Sequence, residues 1–199
     1  MIHPYTEIRF ISPEKGYGVV AKQFIPKGTI TWVQDKLDMV FDRNKIEELG
    51  ESYAGIIDTY CFRDNQGNHI LCWDNARFVN HSFNSNCLTT PYNFEIAIRD
   101  IQEGEELTDD YGYLNITEPF EGIPEDGFRH VVYPDDLTRY HKIWDEKIAD
   151  AMFFIQDVKQ PLLNFLNDTT QSKIKAILKG ELEMESILTC YYDQTKVAL

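Results

Sequence analysis

Apolar and polar positions alternate in short runs up to about residue 110, and clusters of Gly, Pro, Asn and Asp interrupt them. Such a pattern predicts short, half-buried strands joined by tight turns. Glu7–Ile8–Arg9–Phe10–Ile11 alternates as a strand. Lys15–Gly16–Tyr17–Gly18 turns into a second strand, Val19–Val20–Ala21–Lys22. Ile25–Pro26–Lys27–Gly28–Thr29 is another turn, and the β-branched and aromatic run from Thr29 to Val33 is a third strand. Asp42 to Leu49 carries a helical pattern that stops at Gly50. Ile57–Phe62 and Asn68–Trp73 flank an Asp/Asn/Gly turn, which predicts a hairpin with His69 on the surface of its second arm. Asp74 is placed to cap a short turn or helix through Phe78. Tyr92 to Asp100 alternates as a strand, and Glu106 to Asp109 forms a last short one.

Beyond Pro119 the character changes. Residues 119–134 are rich in Gly, Pro and charge and read as a loop. Leu137, Tyr140, Trp144, Ile148, Ala151, Ile155 and Val158 then recur at steps of three or four, predicting an amphipathic helix of about six turns. Pro161 interrupts it, and shorter helical stretches follow near Leu162–Asn167 and Ser172–Lys179, with Gly180 as a stop. The apolar face of the long helix packs on the β body or its neighbours, or else forms a partner or homodimer interface.

An apolar fraction of 43% and an aromatic fraction of 13% predict a packed globule. The net charge of −14 disfavours a phosphate-tracking surface and suits a basic polypeptide partner, or solubility alone. No membrane span or secretory signal is visible. Cys61, Cys72, Cys87 and Cys190 contain no C-x-x-C pair, so free thiols in an intracellular, cytoplasmic protein are expected. A nuclear location would suit a chromatin substrate in a eukaryote, although no basic localisation run is present.

Two stretches carry the candidate chemistry. Arg77–Phe78–Val79–Asn80–His81–Ser82 places polar side chains after an apolar run, and Glu106–Leu107–Thr108–Asp109–Asp110–Tyr111–Gly112–Tyr113 places a tyrosine between an acidic pair and a glycine. Alone, the first reads better as a turn held by Asn and Ser side chains than as a site. Together and in this order, the two resemble the signature motifs of the SET-domain methyltransferases, roughly RFxNHSCxPN and ELTxDYG. Lys15–Gly16–Tyr17–Gly18 resembles that family's weaker glycine motif. The resemblance spans Thr6 to Glu118.

The resemblance implies a mainly β fold of small sheets, closed by a pseudoknot that brings Asn80 and Tyr111 together, plus a C-terminal α-helical extension. The implied division is residues 6–118 for the SET domain, 119–134 for the following loop and 135–199 for the helical extension. It implies S-adenosylmethionine as donor and a lysine side chain as acceptor; the acidic charge adds a basic protein or peptide as the expected partner, and charge and hydropathy argue against nucleic acid and membrane. Gly16, Tyr17, Gly18, Asn80, His81 and Tyr111 would hold the donor. Tyr111 would be catalytic, orienting amine and methyl rather than acting as a base, because a phenol with pKa about 10 is a poor base near neutrality. Asp109, Tyr113 and Tyr60 would line the lysine channel, with Phe62 and Trp73 as further candidates or core residues. Phe120 or Phe128 would stack on the donor's adenine.

Three departures from the family pattern matter. Gln34–Asp35 follows the third strand where a channel-shaping tyrosine and glycine are common. Phe83 stands where the motif's cysteine binds zinc, and residues 120–130 contain no cysteine, so no zinc is expected. Asp109 occupies a position that is usually Phe or Tyr. A lone carboxylate there would hold the amine protonated, predicting an alkaline optimum that Asp109→Phe lowers. These departures leave a non-catalytic module that binds a basic peptide or the donor as the alternative. A hydrolase built on His81 or Ser82 lacks a nucleophile-elbow context.

Overall fold

The short strands pair locally, giving five small sheets rather than one large one. The structure, a computed structural model, describes residues 1–193; residues 194–199, the end of the expected extension, lie outside the described residues. Strands β1 (Thr6–Ser12) and β2 (Gly16–Ala21) form an antiparallel hairpin. β3 (Ile30–Val33) is followed by β4 (Met39–Phe41) and helix α1 (Arg43–Leu49), which starts where the Asp42 side chain accepts a hydrogen bond from Lys45 N. Helix α2 (Ala54–Tyr60) leads into β5 (Cys61–Arg63), and β6 (His69–Leu71) completes a sheet ordered β4-β6-β5.

The hairpin expected from Ile57 to Trp73 exists, but its first arm is mostly helix. The chain stays helical through Tyr60, burying Ile57 alone from that helix, and only Cys61–Arg63 pair with β6. The β-branched, aromatic composition of the run does not decide its state when one face of a helical turn already buries the key residue.

Asp74 caps the 3-10 turn Asn75–Phe78 by accepting from Ala76 N, and its other oxygen accepts from Ile2 N at 2.7 Å. Three strands follow: β7 (Asn80–His81), β8 (Cys87–Thr89) and β9 (Phe94–Ala97). β9 is the centre of the β3-β9-β8 sheet, and β10 (Thr108–Asp109) pairs in parallel with β7. The expected loop at 119–134 contains a minimal antiparallel pair, β11 (Phe120–Glu121) and β12 (Val131–Val132).

Helix α3 (Asp136–Met152) buries Leu137, Trp144, Ile148, Ala151 and Met152, one stripe at helical spacing. The stripe packs into the same core as Ile30, Phe94, Ile96 and Tyr113, so the helical tail and the β body share one apolar interior. The helix is shorter than its apolar period predicts. It ends at Met152, although Ile155 is still buried. The Gln160 carboxamide replaces the missing turn: its Nε2 donates to Ile155 O at 2.9 Å and Gly28 O at 2.7 Å, while its Oε1 accepts from Ile30 N at 2.9 Å. Tertiary bonds to β3 thus outweigh local helical periodicity. A 3-10 turn, Leu163–Phe165, and helix α4 (Asp168–Leu178), capped by Asn167, close the tail.

Ile148 is fully buried between α3 and the β body. We expect Ile148→Ala to lower the unfolding free energy by about 2–5 kcal/mol, in the range for large-to-small core substitutions. Chemical denaturation of full-length protein would show one transition shifted for α3 and the β body together; two separate transitions would contradict a shared core.

Candidate active site

Two distant stretches meet where β7 and β10 pair, with Thr108 opposite Asn80 and Asp109 opposite His81. Asn86 fixes the approach of β10: its Oδ1 accepts from Thr108 N at 2.9 Å and its Nδ2 donates to Glu106 O at 2.8 Å. Ser82 N donates to Asp109 O at 2.9 Å, and Tyr111 N donates to His81 Nδ1 at 3.2 Å. The Tyr111 hydroxyl donates to Val79 O at 2.6 Å. Asn80, His81 and Tyr111, widely separated in sequence, are therefore brought together as expected.

Side chains of successive strand residues point to opposite faces. Thr108 accordingly lines one cavity and Asp109 another, on the two sides of the β7–β10 pair. The larger cavity has a volume of about 520 Å3. Its wall includes Tyr60 and Phe62 from the α2–β5 corner, Trp32 from β3, and Phe120; Glu95, Asp109 and Tyr111 complete it. The smaller cavity, about 390 Å3, is bounded by Lys15, Ser82, Glu106, Glu125 and Phe128.

Tyr60 and Asp109, two of the residues expected to line a channel, both line the larger cavity. Tyr113 does not. It lies in the core, 2% exposed, with its ring edge-on to Trp144 at 5.6 Å. The 3-10 turn Tyr111–Tyr113 accounts for this: residues two apart face different ways there, whereas strand geometry would have aligned them. His69, expected on the surface, is half-buried on the larger cavity's wall, and burial lowers its proton affinity. Trp73 is partly exposed and donates through Nε1 to Asp35 at 3.0 Å, away from the cavity.

Burial, and secondarily the Asp109 charge, push the Tyr111 phenol above its ordinary range. Its proton is committed to the Val79 carbonyl, so what it offers the cavity is oxygen lone pairs. Two oxygens so placed stabilise positive charge on a neighbouring group. Burial lowers the affinity of His81 for a proton, which keeps its ring neutral; Nδ1 accepts from the backbone. The ring is boxed in by Phe83, Phe120 and Tyr111 at 4.3, 5.5 and 5.4 Å between centroids.

The glycine motif comes within reach of this junction. Asn80 Nδ2 donates to Tyr17 O at 3.1 Å and to Glu106 Oε1 at 2.7 Å, and Lys15 pairs with the other Glu106 oxygen at 2.9 Å. A Cβ on Gly18 would lie 2.4 Å from Glu106 Oε1 and 2.8 Å from Asn80 Nδ2. Only bare backbone fits there unless these side chains shift, so the glycine lets the hairpin approach the Asn80 and Glu106 side chains closely. Tyr17 itself is exposed, with its ring edge-on to Phe10.

Arg129 holds residues 119–134 over the junction, and sequence reading missed it. Its guanidinium grips Asp110 with two bonds of 2.7 Å and reaches Asp136 Oδ2 at 3.0 and 3.3 Å. It is sandwiched over the rings of Phe83 and Tyr140, 4.7 and 4.8 Å from their centroids. A Cβ on Gly112 would sit 2.7 Å from Arg129 Nη2, so the glycine after the tyrosine makes room for the clamp. Glu125 adds a second tie, accepting from Ser82 Oγ at 2.8 Å and Asn84 N at 2.7 Å. Among the described residues no group of three or more His, Cys, Asp or Glu side chains is arranged to hold a metal ion. The only sequence signal for the clamp was an arginine in a segment otherwise short of ordering contacts.

The SET domain family model matches residues 16–112. The chain is 32% identical over 126 residues to the histone-lysine N-methyltransferase ash1 of Drosophila melanogaster, covering 58% of this chain and 6% of that protein. It is 31% identical over 121 residues to the histone-lysine N-methyltransferase ASHH2 of Arabidopsis thaliana, covering 54% and 7%. An N-lysine methyltransferase of Danio rerio is 33% identical over 123 residues, covering 53% of this chain and 34% of its own length. The chain therefore spans about a third or less of the curated relatives it matches.

Arg129→Met removes the cation and leaves Asp110 and Asp136 buried, at a cost of about 3–5 kcal/mol. Burial already raises the Asp136 carboxyl even with the arginine present. Without the arginine it rises further. A carboxyl whose folded pKa exceeds its unfolded value adds stability below the unfolded pKa and loses it as pH rises through the folded one. The variant's deficit against wild type should therefore shrink from pH 8 to pH 5 in urea titrations; a deficit that grows on acidification would refute the clamp.

Proposed function

We propose that this chain, whose residues 16–112 match the SET domain family model, transfers a methyl group from S-adenosylmethionine to the side-chain amine of a lysine in a basic protein. The observation that carries this reading is the Tyr111 hydroxyl, anchored on Val79 O where β7 and β10 join and set in the wall of the larger cavity. The donor supplies a methyl group made electrophilic by a sulfonium. Gly16, Tyr17, Gly18, Asn80, His81 and Tyr111 would hold it. The cradle in which no Cβ fits at Gly18, beside the Asn80 carboxamide, suits a ligand that needs backbone hydrogen bonds.

Tyr111 contributes positioning and charge stabilisation. Its raised proton affinity excludes phenolate, so it does not remove the lysine's proton. Trp32, Tyr60 and Phe62 give the larger cavity an aromatic wall that takes an aliphatic lysine stem. The acidic surface, net charge −14, favours a basic substrate and disfavours nucleic acid. Adenine would stack on Phe120 or Phe128. The reading is zinc-free, with the Arg129 clamp ordering the segment that covers the site. Self-association through the C-terminal helices would use Ile143, Phe153 and Phe154, because the α3 stripe is buried in the chain's own core.

The test incubates full-length protein with isotopically labelled donor and core histones or lysine-peptide arrays, with products read by mass spectrometry. Label is expected on lysine. Tyr111→Phe should lower turnover by at least about a hundredfold, the scale for losing one preorganised charge-stabilising group. Its donor affinity by calorimetry should fall far less than its turnover, because five other residues also hold the donor. A wild-type protein that neither binds donor nor labels lysine, or a Tyr111→Phe protein of full activity, would overturn the assignment.

A further inference from the structure

Besides Asp58 and Glu118, the larger cavity is lined by two neighbouring carboxyl groups, Glu95 from β9 and Asp109 from β10. The sequence motif flags Asp109 alone; Glu95 joins it only through the fold. Asp109 is 5% exposed and lines the cavity, yet its Oδ1 has no hydrogen-bond partner among the described residues. No lysine or arginine pairs with either carboxyl among the described residues. Every other strongly buried acid at this junction is matched: Asp110 and Asp136 grip Arg129. An unmatched, buried acceptor facing a cavity is costly unless the cavity's ligand completes it.

The groups facing this pair determine how it holds protons. Cys87 on β8, Tyr111 and Tyr113 on the 3-10 turn, and Asp110 next in the chain surround Asp109. The N-terminal amine and Asp74 act on Glu95 from farther away. Burial, then the Asp109 charge, push Glu95 well above the usual carboxylate range. Burial raises Asp109 to about 6, with Tyr113 and Glu95 offsetting part of the effect. Burial and mutual repulsion therefore disfavour both acids being charged together. A lone exposed aspartate, with pKa about 3.9, would trap an ammonium without taking its proton. A desolvated, proton-sharing pair is a better acceptor, and burying an ion pair in a low-dielectric cavity favours the two neutral partners.

We propose that Glu95 and Asp109 form the subsite that receives the substrate's primary ammonium group and takes up its departing proton. The inference rests on the lysine methyl-transfer reading above. In the step, one N–H bond of the ammonium breaks and one O–H bond forms on the carboxylate. The nitrogen keeps the electron pair with which it attacks, and the pair of carboxyls becomes neutral. The proton passes to water after turnover. On this account the alkaline optimum expected for an isolated Asp109 gives way to an acid limb set by the pair. Asp109→Asn moves activity toward alkaline pH instead of away from it.

The test uses n-butylammonium, an isostere of the lysine side chain, and uncharged n-butanol, titrated by calorimetry into full-length protein with and without S-adenosylhomocysteine. Wild type should bind the cation at least about tenfold tighter than the alcohol, as expected for one charge-assisted hydrogen bond. Asp109→Asn should bind both alike, and Glu95→Gln should narrow the difference. Carboxyl-carbon NMR of the ligand-free protein should show one of the pair titrating near pH 6 and the other higher. S-adenosylhomocysteine affinity near wild type in both variants would show that they fold and that the donor reading survives. With that affinity intact, equal binding of cation and alcohol by wild type, or an undiminished cation preference in Asp109→Asn, overturns the subsite alone. Loss of donor binding and lysine labelling in wild type overturns the methyl-transfer reading beneath it.

Discussion

The parallel contact between Asn80–His81 and Thr108–Asp109 is the constraint on which the rest of the molecule depends. Two-residue strands contribute little pairing energy, so the contact has to be held from outside. Asn86 fixes one end through two backbone bonds, and the His81 ring and the Tyr111 hydroxyl lock the other. Because the strand alternates, this single register sends Thr108 to one cavity and Asp109 to the other. A one-residue slip would exchange the two faces and replace a carboxyl with a hydroxyl in the wall of the larger cavity.

The surrounding structure braces this junction. Asp110, next to the catalytic tyrosine candidate, is bound by Arg129, which also binds Asp136 at the start of α3. The long helix is thereby coupled to the site through one guanidinium as well as through the shared core around Tyr113 and Trp144. Farther along, Asp145 on α3 accepts from Ser186 Oγ and Ile187 N, and Asn115 bonds Cys190 O and Tyr192 N. The C-terminal segment is thus tied to the larger cavity's rim, where Asn115 sits beside Arg63.

Much of this was legible from residue order. Strand positions followed alternation, Asp74 announced its cap, and the α3 stripe was visible as a period. The motif pair placed Asn80 beside Tyr111 before any contact was known. What was not legible depends on tertiary partners. Gln160 ends α3 early by bonding β3, which no local period encodes. A tight 3-10 turn carries Tyr113 into the core, although the family resemblance implied a place in the channel. Arg129 and Glu95 matter because of the acids they meet, and those acids come from distant parts of the chain. Charge counts along the sequence cannot distinguish a matched carboxylate such as Asp110 from an unmatched one such as Asp109.

The most direct test of the central claim is a crystal structure of the full-length protein with S-adenosylhomocysteine and a lysine peptide. The account predicts the thioether sulfur beside the Tyr111 hydroxyl, reached from the Gly18–Asn80 side. The lysine nitrogen should arrive through the larger cavity with Asp109 and Glu95 in its wall. A nucleoside seated away from the β7–β10 junction, or a lysine chain that avoids the cavity holding Asp109, would contradict it.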